Sequence, residues 1–344
     1  MKQEGTSETR PLFCYKNMKL IVNKTEKLSG ACVIPGSKSE TIRALVLGAL
    51  ASGKSEIKNF LDCDDSRTAL EVLYNLGARV RLKKRSIIVH GTGLPIRLKT
   101  KKINTGNSGI TTRFVLPLLG LREDIQPIIF DCGQQMRGRP IAPLVKALND
   151  LGMRISFLNK RGVCPLKVSG ALLGGRTTVD GITSQYLSAL LISLPLAPKD
   201  SVVRVKNLRE RPYIDMTLNH IRAVGGKISH TCTNNTDIFQ ITGRQKYKNI
   251  NKTISGDFSS ASCLIVAGCS IKGKIVLNGL NMKSCQGDKR LVEILRRMGA
   301  DIRILKNKIT IQDGKKLTGM KIGANDIPDL MPALAVLGTQ AEGR

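Results

Sequence analysis

The hydrophobic pattern of the chain is one short arrangement that returns four times. In each copy apolar residues recur every three or four positions up to a glycine, after which apolar and polar residues alternate. The first spacing predicts a helix, and the alternation predicts a strand. The glycines are Gly77, Gly152, Gly225 and Gly299, which lie 75, 73 and 74 residues apart. A fixed period of this length predicts one mixed unit of strands and helices that is copied along the chain.

Each glycine is predicted to stop its helix in the left-handed backbone region, where a residue without a side chain is favoured. Another predicted helix in each unit begins on small polar residues and then turns strongly apolar. These starts lie at 36–39, 106–109, 183–185, 257–260 and 325–329. Ser, Thr, Asn and Asp cap helix amides, and this structural explanation suffices for any single start. Because several starts recur in register, the pattern also favours anion binding by free N–H groups and helix dipoles.

The sharpest local signal is the segment 35–39, Pro-Gly-Ser-Lys-Ser, followed by Arg43. A glycine permits close approach of the backbone, Lys38 supplies a point charge, and Ser39 supplies a hydroxyl. Arg43 lies one helical turn after Ser39 on the same face. The segment predicts a cradle for a phosphate or a carboxylate. It is not a Walker A loop, because the spaced glycine of that motif is missing.

Two further residues are candidates for chemistry. Arg139 comes directly before Pro140, which we expect in the first turn of a helix, so that the guanidinium points into a cleft. An ordinary exposed arginine is the alternative. Asp329 lies near the start of the last predicted helix, where it is either a helix cap or a general base.

Length and composition limit the class of protein. A chain of 344 residues with 41% apolar residues is predicted to form packed cores in two domains. No apolar run is long enough for a membrane span, and the N-terminus lacks the apolar core of a secretory signal. Nine cysteines without a Cys-x-x-Cys pair indicate free thiols in a cytoplasmic protein. Only three histidines are present, none at ligand spacing to a cysteine, so a metal site is not expected.

The net charge of +29 raises the possibility of a nucleic-acid partner. The basic residues are scattered in small groups, however, and aromatic residues make up only 3% of the chain, too few for base stacking. The charge is equally suited to small anionic substrates drawn into a cleft. We therefore expect small-molecule substrates, with neither nucleic acid nor membrane as a partner.

Taken together, these residues resemble the enolpyruvyl transferases, and most of all the members that act on shikimate 3-phosphate. The resemblance runs from about Met18 to Arg344. The matching segments, in family order, are 35–39 with Arg43, 106–109 with Arg113, 139–141, 183–191, 211–215, 256–262, 286–288 and 325–329. The sister enzyme that acts on UDP-N-acetylglucosamine is the alternative. It usually has Asn where this chain has Ser39, and no matching catalytic cysteine loop is found.

The resemblance implies an α/β (α+β) fold of two domains built from βαβαββ units, three in each domain of the family. By this analogy the chain crosses between the domains near 35–37 and again near 253–256. The first domain is then 37–254 with three units, on the side of shikimate 3-phosphate. The second domain combines 1–36 with 255–344, and it is incomplete here.

The resemblance also implies a reaction of the shikimate pathway, which leads through chorismate to aromatic amino acids. The enolpyruvyl group of phosphoenolpyruvate is transferred to the 5-hydroxyl of shikimate 3-phosphate with release of phosphate, and no metal or organic cofactor is needed. The residues implied for shikimate 3-phosphate are Lys38, Ser39, Arg43, Thr183, Ser184, Gln185 and Asp329. Those implied for phosphoenolpyruvate are Lys38, Gly109, Arg139 and Gln185. The implied catalytic residues are Asp329, as the base, and Lys38. The resemblance also implies a monomer, which is the usual state in the family.

The sequence departs from the family at two points. Glu210 stands where a Ser commonly helps to bind the phosphate, so we expect its carboxylate to turn toward Arg209 or Arg211, or that contact to be missing. The chain also holds about four and a half units where the family has six, and later charged segments that grip phosphoenolpyruvate are absent. We therefore expect the 344-residue chain alone to be inactive and poorly soluble. A truncated relative that only binds shikimate 3-phosphate is the remaining alternative.

Overall fold

The computed structural model describes residues 21–312 and 316–343, and it has a mixed α/β architecture. The first unit comprises β1 (Lys27–Val33), α1 (Lys38–Leu50), β2 (Ser52–Lys58), α2 (Asp64–Asn75), β3 (Arg79–Lys83) and β4 (Ser86–Thr92). The second comprises β5 (Lys102–Asn104), α3 (Gly109–Leu118), β6 (Ile128–Asp131), α4 (Ala142–Asp150), β7 (Arg154–Phe157) and β8 (Leu166–Ser169).

The third unit comprises β9 (Gly175–Asp180), α5 (Ser184–Ser193), β10 (Ser201–Lys206), α6 (Arg211–Ala223), β11 (Ile228–Thr233) and β12 (Thr236–Ile241). The fourth comprises β13 (Asn251–Thr253), α7 (Phe258–Ser270), β14 (Lys272–Asn278), α8 (Arg290–Arg297), β15 (Asp301–Leu305) and β16 (Lys308–Gln312). Three further elements follow, β17 (Leu317–Thr318), α9 (Met331–Gly338) and β18 (Ala341–Glu342), with a 3-10 turn at Pro328–Leu330 immediately before α9.

The sheets of these units share one topology. The second unit has the strand order β5-β6-β8-β7, in which β5 and β6 are parallel and the other pairs are antiparallel. The third unit repeats it as β9-β10-β12-β11. The predicted βαβαββ unit is therefore confirmed. Because the first two strands are parallel, a helix must cross over between them, and the last two strands form a hairpin.

The first and fourth units exchange their first strands. β1 pairs in parallel with β14, whereas β13 pairs in parallel with β2. The two chain segments that carry this exchange run side by side, since Ser37 N donates to Ser255 O and Asp257 N donates to Pro35 O, both at 2.9 Å. Gly36 and Gly256 form an antiparallel bridge at the same place.

Two separate hydrophobic clusters lie on either side of this double crossing. One is built from buried residues between Ile42 and Ile254, and the other from Ile34 together with residues between Phe258 and Leu337. The predicted domain bounds, 37–254 and 1–36 with 255–344, stay a proposal, which the clusters and the paired crossing support. Residues 1–20, 313–315 and 344 lie outside the described part of the chain.

The repeated glycines end their helices as predicted. Gly77, Gly152, Gly225 and Gly299 all have φ between 85° and 105°. In the first unit Ala78 N donates to Leu73 O at 3.1 Å, and the other three units repeat this bond across the same interval. The bond reaches back over five residues, as in a Schellman motif, and it satisfies a carbonyl that the helix end would leave open. A side chain at these glycines would be strained, which explains why the pattern recurs.

The first helices of the three units in the larger cluster are apolar on nearly every face because they are surrounded by protein. α1, α3 and α5 pack in its centre, and every residue of α3 is buried. Within the described residues no helix is both long and apolar enough to cross a membrane.

Candidate active site

A polar cavity of about 310 Å³ is lined by residues at the starts of α1, α3 and α5. Its size is that of a site for a small molecule. Its wall combines three cations, three carboxylates and small polar groups. The lining residues are Lys38, Ser39, Arg43, Asp65, Gly109, Ile110, Arg139, Ser184, Gln185, Glu210, Tyr213 and Asp329.

The start of α1 presents Lys38 and Ser39 to this cavity. Ser37 is the N-cap residue, and its hydroxyl oxygen accepts from Glu40 N at 3.5 Å. Lys38 is therefore the first helical residue, about half exposed, with Nζ 3.8 Å from Asp65 Oδ2. A pair at this distance and exposure holds the ammonium only weakly, so Lys38 remains available to an anion.

Arg43 forms one wall of the cavity from inside the protein, where only 1% of its surface is exposed. Its Nε donates to Thr217 Oγ1 at 2.8 Å and its Nη2 donates to Tyr213 O at 3.2 Å, which ties α1 to α6. Nη1 donates to Ser39 O at 3.0 Å. Burial lowers the pKa of Arg43 to about 10, so the guanidinium keeps its charge at neutral pH. The structure thus adds a structural role to the predicted binding role.

The start of α3 leaves space that a side chain would fill. A Cβ at Gly109 would lie 3.2 Å from Arg113 Nη1 and 3.3 Å from Arg139 Nη1. Arg113 is buried and donates to Gly109 O and Pro140 O, at 3.1 and 3.0 Å, so it fixes the loop that carries Arg139. Gly109 and the exposed Arg139 therefore stand side by side.

The expectation for Pro140 was wrong in one detail. The helix that follows Arg139 is α4, which begins at Ala142, and the proline in its first turn is Pro143. Pro140 instead lies in the preceding loop, where its carbonyl accepts from Arg113 and from the hydroxyl of Tyr186 at 2.7 Å. Arg137, the other arginine of this loop, is bound to Asp131 with a shortest distance of 2.6 Å.

The start of α5 already holds a carboxylate. Thr183 is the N-cap residue, and its hydroxyl oxygen accepts from Gln185 N at 3.4 Å. Glu210 Oε2 accepts from Ser184 N at 2.9 Å and from Ser184 Oγ at 2.7 Å. The first alternative for Glu210, a turn toward Arg209 or Arg211, was therefore wrong, and the second, a missing contact with the phosphate, stays a prediction. Two directed hydrogen bonds at a helix start outweigh an exposed ion pair, and the guanidinium of Arg211 is bound to Asp237.

Asp329 enters the cavity from the 3-10 turn at Pro328–Leu330. Its Oδ2 accepts from the hydroxyl of Tyr213 at 2.8 Å. Burial raises the pKa of Tyr213, and so do the nearby carboxylates of Asp288 and Asp329, which means that the phenol stays protonated and donates. The side chain of Asp329 is thus oriented by a donor from α6, and no cap bond from it is seen at the turn.

The structure brings together Lys38, Ser39, Arg43, Gly109, Arg139, Ser184, Gln185 and Asp329. Thr183 does not line the cavity, although it caps the helix whose next two residues do. Of the five polar helix starts, that of α7 at Asp257 contributes no lining residue. Sequence reasoning assigned no role to Asp65 or Tyr213. Tyr213 lay within a matching segment, but Asp65 gave no local signal, because only the packing of α2 beside α1 brings it to Lys38.

The comparisons with known proteins identify the family. A model of the EPSP synthase family, 3-phosphoshikimate 1-carboxyvinyltransferase, matches residues 22–344. The 3-phosphoshikimate 1-carboxyvinyltransferase of Acetivibrio thermocellus is 42% identical over 324 residues, which cover 94% of this chain and 75% of that protein. The protein of the same name from Methanocaldococcus jannaschii is 36% identical over 328 residues, with 94% and 75% covered. The chain belongs to the EPSP synthase family.

Solved structures give the same fold. The EPSP synthase from Acinetobacter baumannii superposes with a TM-score of 0.77 at 23% identity, covering 93% of this chain and 74% of that one. The enolpyruvyl transferase NikO from Streptomyces tendae gives a TM-score of 0.72 at 18% identity, with 92% and 74% covered. The chain thus spans about three quarters of the length of these relatives.

Proposed function

We propose that this chain transfers the carboxyvinyl (enolpyruvyl) group of phosphoenolpyruvate to the 5-hydroxyl of shikimate 3-phosphate, in the cavity at the starts of α1, α3 and α5. The hydroxyl oxygen attacks C2 of phosphoenolpyruvate, C3 gains a proton, and the hydroxyl proton leaves to a base. The tetrahedral intermediate then loses phosphate and a proton from C3. Membership of the family supports the reaction, and the cavity supports its location.

The observation that carries the location is the convergence of three helix starts with the carboxylate of Asp329 in one cavity. The two substrates together bear two phosphates and two carboxylates. The positive ends of the three helices, together with Lys38, Arg43 and Arg139, supply positive charge for these groups, and the three side chains also supply donors. Holding both substrates against one set of donors turns a reaction between two molecules into one within a complex.

The proposed division of roles follows the position of each side chain. Lys38 lies at the start of α1 and contacts both substrates. Ser39, Arg43, Thr183, Ser184 and Gln185 hold shikimate 3-phosphate, whereas Gly109, Arg139 and Gln185 hold phosphoenolpyruvate. Gly109 suits that role because the space beside it is flanked by two guanidinium groups. Each of these assignments stays a proposal.

Asp329 is the proposed acceptor of the 5-hydroxyl proton. The hydrogen bond from Tyr213 holds its Oδ2 in a fixed position at the cavity wall. A carboxylate that is held in place by a neutral donor, with one oxygen available to the substrate, has the geometry of a general base.

A phosphate-release assay of Asp329→Asn tests this proposal. Loss of a general base is expected to lower kcat by roughly 10²–10⁴-fold with little change in substrate binding. Asp301→Asn on β15, outside the cavity, is the matched control and should keep its activity. An Asp329→Asn variant with unchanged kcat would show that another group takes the proton.

The inactivity and poor solubility expected of the 344-residue chain alone, and its monomeric state, stay predictions. Phosphate release, solubility and sedimentation of this chain would measure them. Binding of shikimate 3-phosphate without any phosphate release would favour the alternative of a relative that only binds it.

A further inference from the structure

The carboxylate of Glu210 lies at the start of α5, inside the cavity. It accepts both from the backbone N–H and from the hydroxyl of Ser184, the first helical residue of α5. N–H groups at a helix start are the natural partners of a phosphate. The chain itself therefore provides an anion for this subsite.

The backbone at Glu210 does not depend on this contact alone. Glu210 is the N-cap residue of α6, with φ 54° and ψ 39°, and its carbonyl accepts from Tyr213 N at 3.0 Å. This bond and the helix that follows fix the left-handed backbone conformation. The side chain can consequently rotate away from Ser184 without loss of the start of α6.

The charge of Glu210 is not cancelled by the arginine that follows it. Arg211 directs its guanidinium to the buried carboxylate of Asp237, with two hydrogen bonds at 2.8 and 2.9 Å. A phosphate that approached Ser184 would meet an ionised carboxylate at hydrogen-bond distance. Like charges at such a distance cost several kcal/mol, so the two anions exclude each other.

We propose that Glu210 is a built-in competitor for the phosphate of the substrate, and that it sets how strongly the chain prefers the phosphorylated over the unphosphorylated sugar acid. The inference rests on the proposed function. Binding of shikimate 3-phosphate must displace the carboxylate from Ser184, whereas binding of shikimate leaves it in place. Glu210 thus weakens the first without affecting the second.

Calorimetric titration of shikimate 3-phosphate and of shikimate into Glu210→Ser and Glu210→Gln tests the proposal. Both variants should bind shikimate 3-phosphate at least about tenfold more tightly than the natural chain, because several kcal/mol of repulsion are removed. Affinity for shikimate should change by less than about twofold. Glu71→Gln on the exposed face of α2 removes the same charge and should change neither affinity.

Glu210→Gln guards against a failure to fold, since its amide oxygen can still accept from Ser184. A purely structural cap predicts that both variants lose thermal stability and bind shikimate 3-phosphate equally well or more weakly, and this result would overturn the inference. Equal tightening for both ligands would overturn it as well. Failure of every variant to bind shikimate 3-phosphate would end both this inference and the proposed function, whereas binding of shikimate 3-phosphate that is unaltered by the substitutions would end the inference alone.

Discussion

The first and fourth units are the same structure, displaced by 220 residues. α1 and α7 each have 13 residues, and β2 and β14 each have seven, with a constant offset between them. Both units have the same strand order and each takes its first strand from the other. Their sequences differ at most positions, so the comparison separates what the unit requires from what its surroundings require.

The inner faces of α1 and α7 have the same environment. Leu45 and Ile265 occupy corresponding positions, and both are fully buried. Gly48 and Gly268 also correspond, and a side chain at either glycine would meet the strand that follows, at Ser55 or Ile275. The unit itself therefore dictates small and apolar residues on this face, because the helix must lie close to its own sheet.

The outer faces differ. Arg43 and Ala44 of α1 are buried, and α1 packs against α3 and α6, whereas the corresponding Cys263 and Leu264 of α7 are exposed, Leu264 by 39%. α9 contacts α7, yet its Val336 is 56% exposed. Burial on the outer face is set by neighbouring units and not by the apolar character of the helix. A helix with an apolar outer face in the described part of the chain can therefore remain partly uncovered.

The largest expected effect on stability comes from placing a charge on the outer face of α1, and the outer face of α7 is the comparison. Ala44→Glu should unfold the protein or cost more than about 4 kcal/mol of unfolding free energy, since a carboxylate would be buried without a partner. Leu264→Glu at the corresponding position should cost less than about 1 kcal/mol. Urea unfolding of both variants measures the difference, and equal losses would show that the two faces are equally buried.

The inner faces should behave alike. Leu45→Ala and Ile265→Ala each remove a fully buried side chain, so each should cost about 2–5 kcal/mol of unfolding free energy. A separate transition for each cluster in urea would assign each loss to its own region. A loss at Ile265 of less than half the loss at Leu45 would show that the inner face of α7 is loosely packed.

The smallest expected effect is the response of a buried carboxylate to pH. Burial raises the pKa of Asp288 in the fourth unit to about 6, and the carboxylates of Asp329 and Asp257 act in the same direction, against the hydrogen bond from Ser259. A raised folded-state pKa stabilises the protein below about pH 4, and this contribution is lost as the pH rises through 6. The Tm of Asp288→Asn minus the Tm of the natural chain should therefore increase by about 2–4 °C when the pH is raised from 5 to 8.

Asp237 in the third unit is the matched control for this pH response. Although burial acts against ionisation, hydrogen bonds from Arg211 and His230 hold the pKa of Asp237 below its usual value. It is ionised at pH 5 and at pH 8, so Asp237→Asn should lower the Tm at both values. A Tm difference for Asp288→Asn that does not change with pH would contradict the assignment to Asp288.

The sequence predicts those features of the fold that depend on local rules. The four glycine stops and a repeated unit of strands and helices follow from spacing alone, because the spacing marks a helix end or a periodic apolar face. The order βαβαββ came from the resemblance to the family. The helix starts that meet in the cavity can also be predicted from the sequence, because a capping side chain hydrogen-bonds backbone N–H groups only two or three residues further along the chain. Resemblance to a family then supplied the roles of the individual residues.

The rest of the site depends on contacts between residues far apart in the chain. Ser184 and Glu210 are 26 positions apart, and Tyr213 and Asp329 are 116 apart. No local sequence pattern predicts which of several possible donors will hydrogen-bond to a carboxylate. The wrong prediction for Pro140 has a similar cause. Two prolines three residues apart both fit a helix start, and only the packing of the loop places Pro143, and not Pro140, in the first turn of α4.

The most direct test of the account is a crystal structure of the chain with shikimate 3-phosphate. We predict that the ligand lies in the cavity at the starts of α1, α3 and α5, with its phosphate bonded to Ser184, its 5-hydroxyl within hydrogen-bond distance of Asp329, and Glu210 displaced. A ligand bound elsewhere, with Lys38 and Asp329 out of its reach, would contradict the claim that these helix starts form the site.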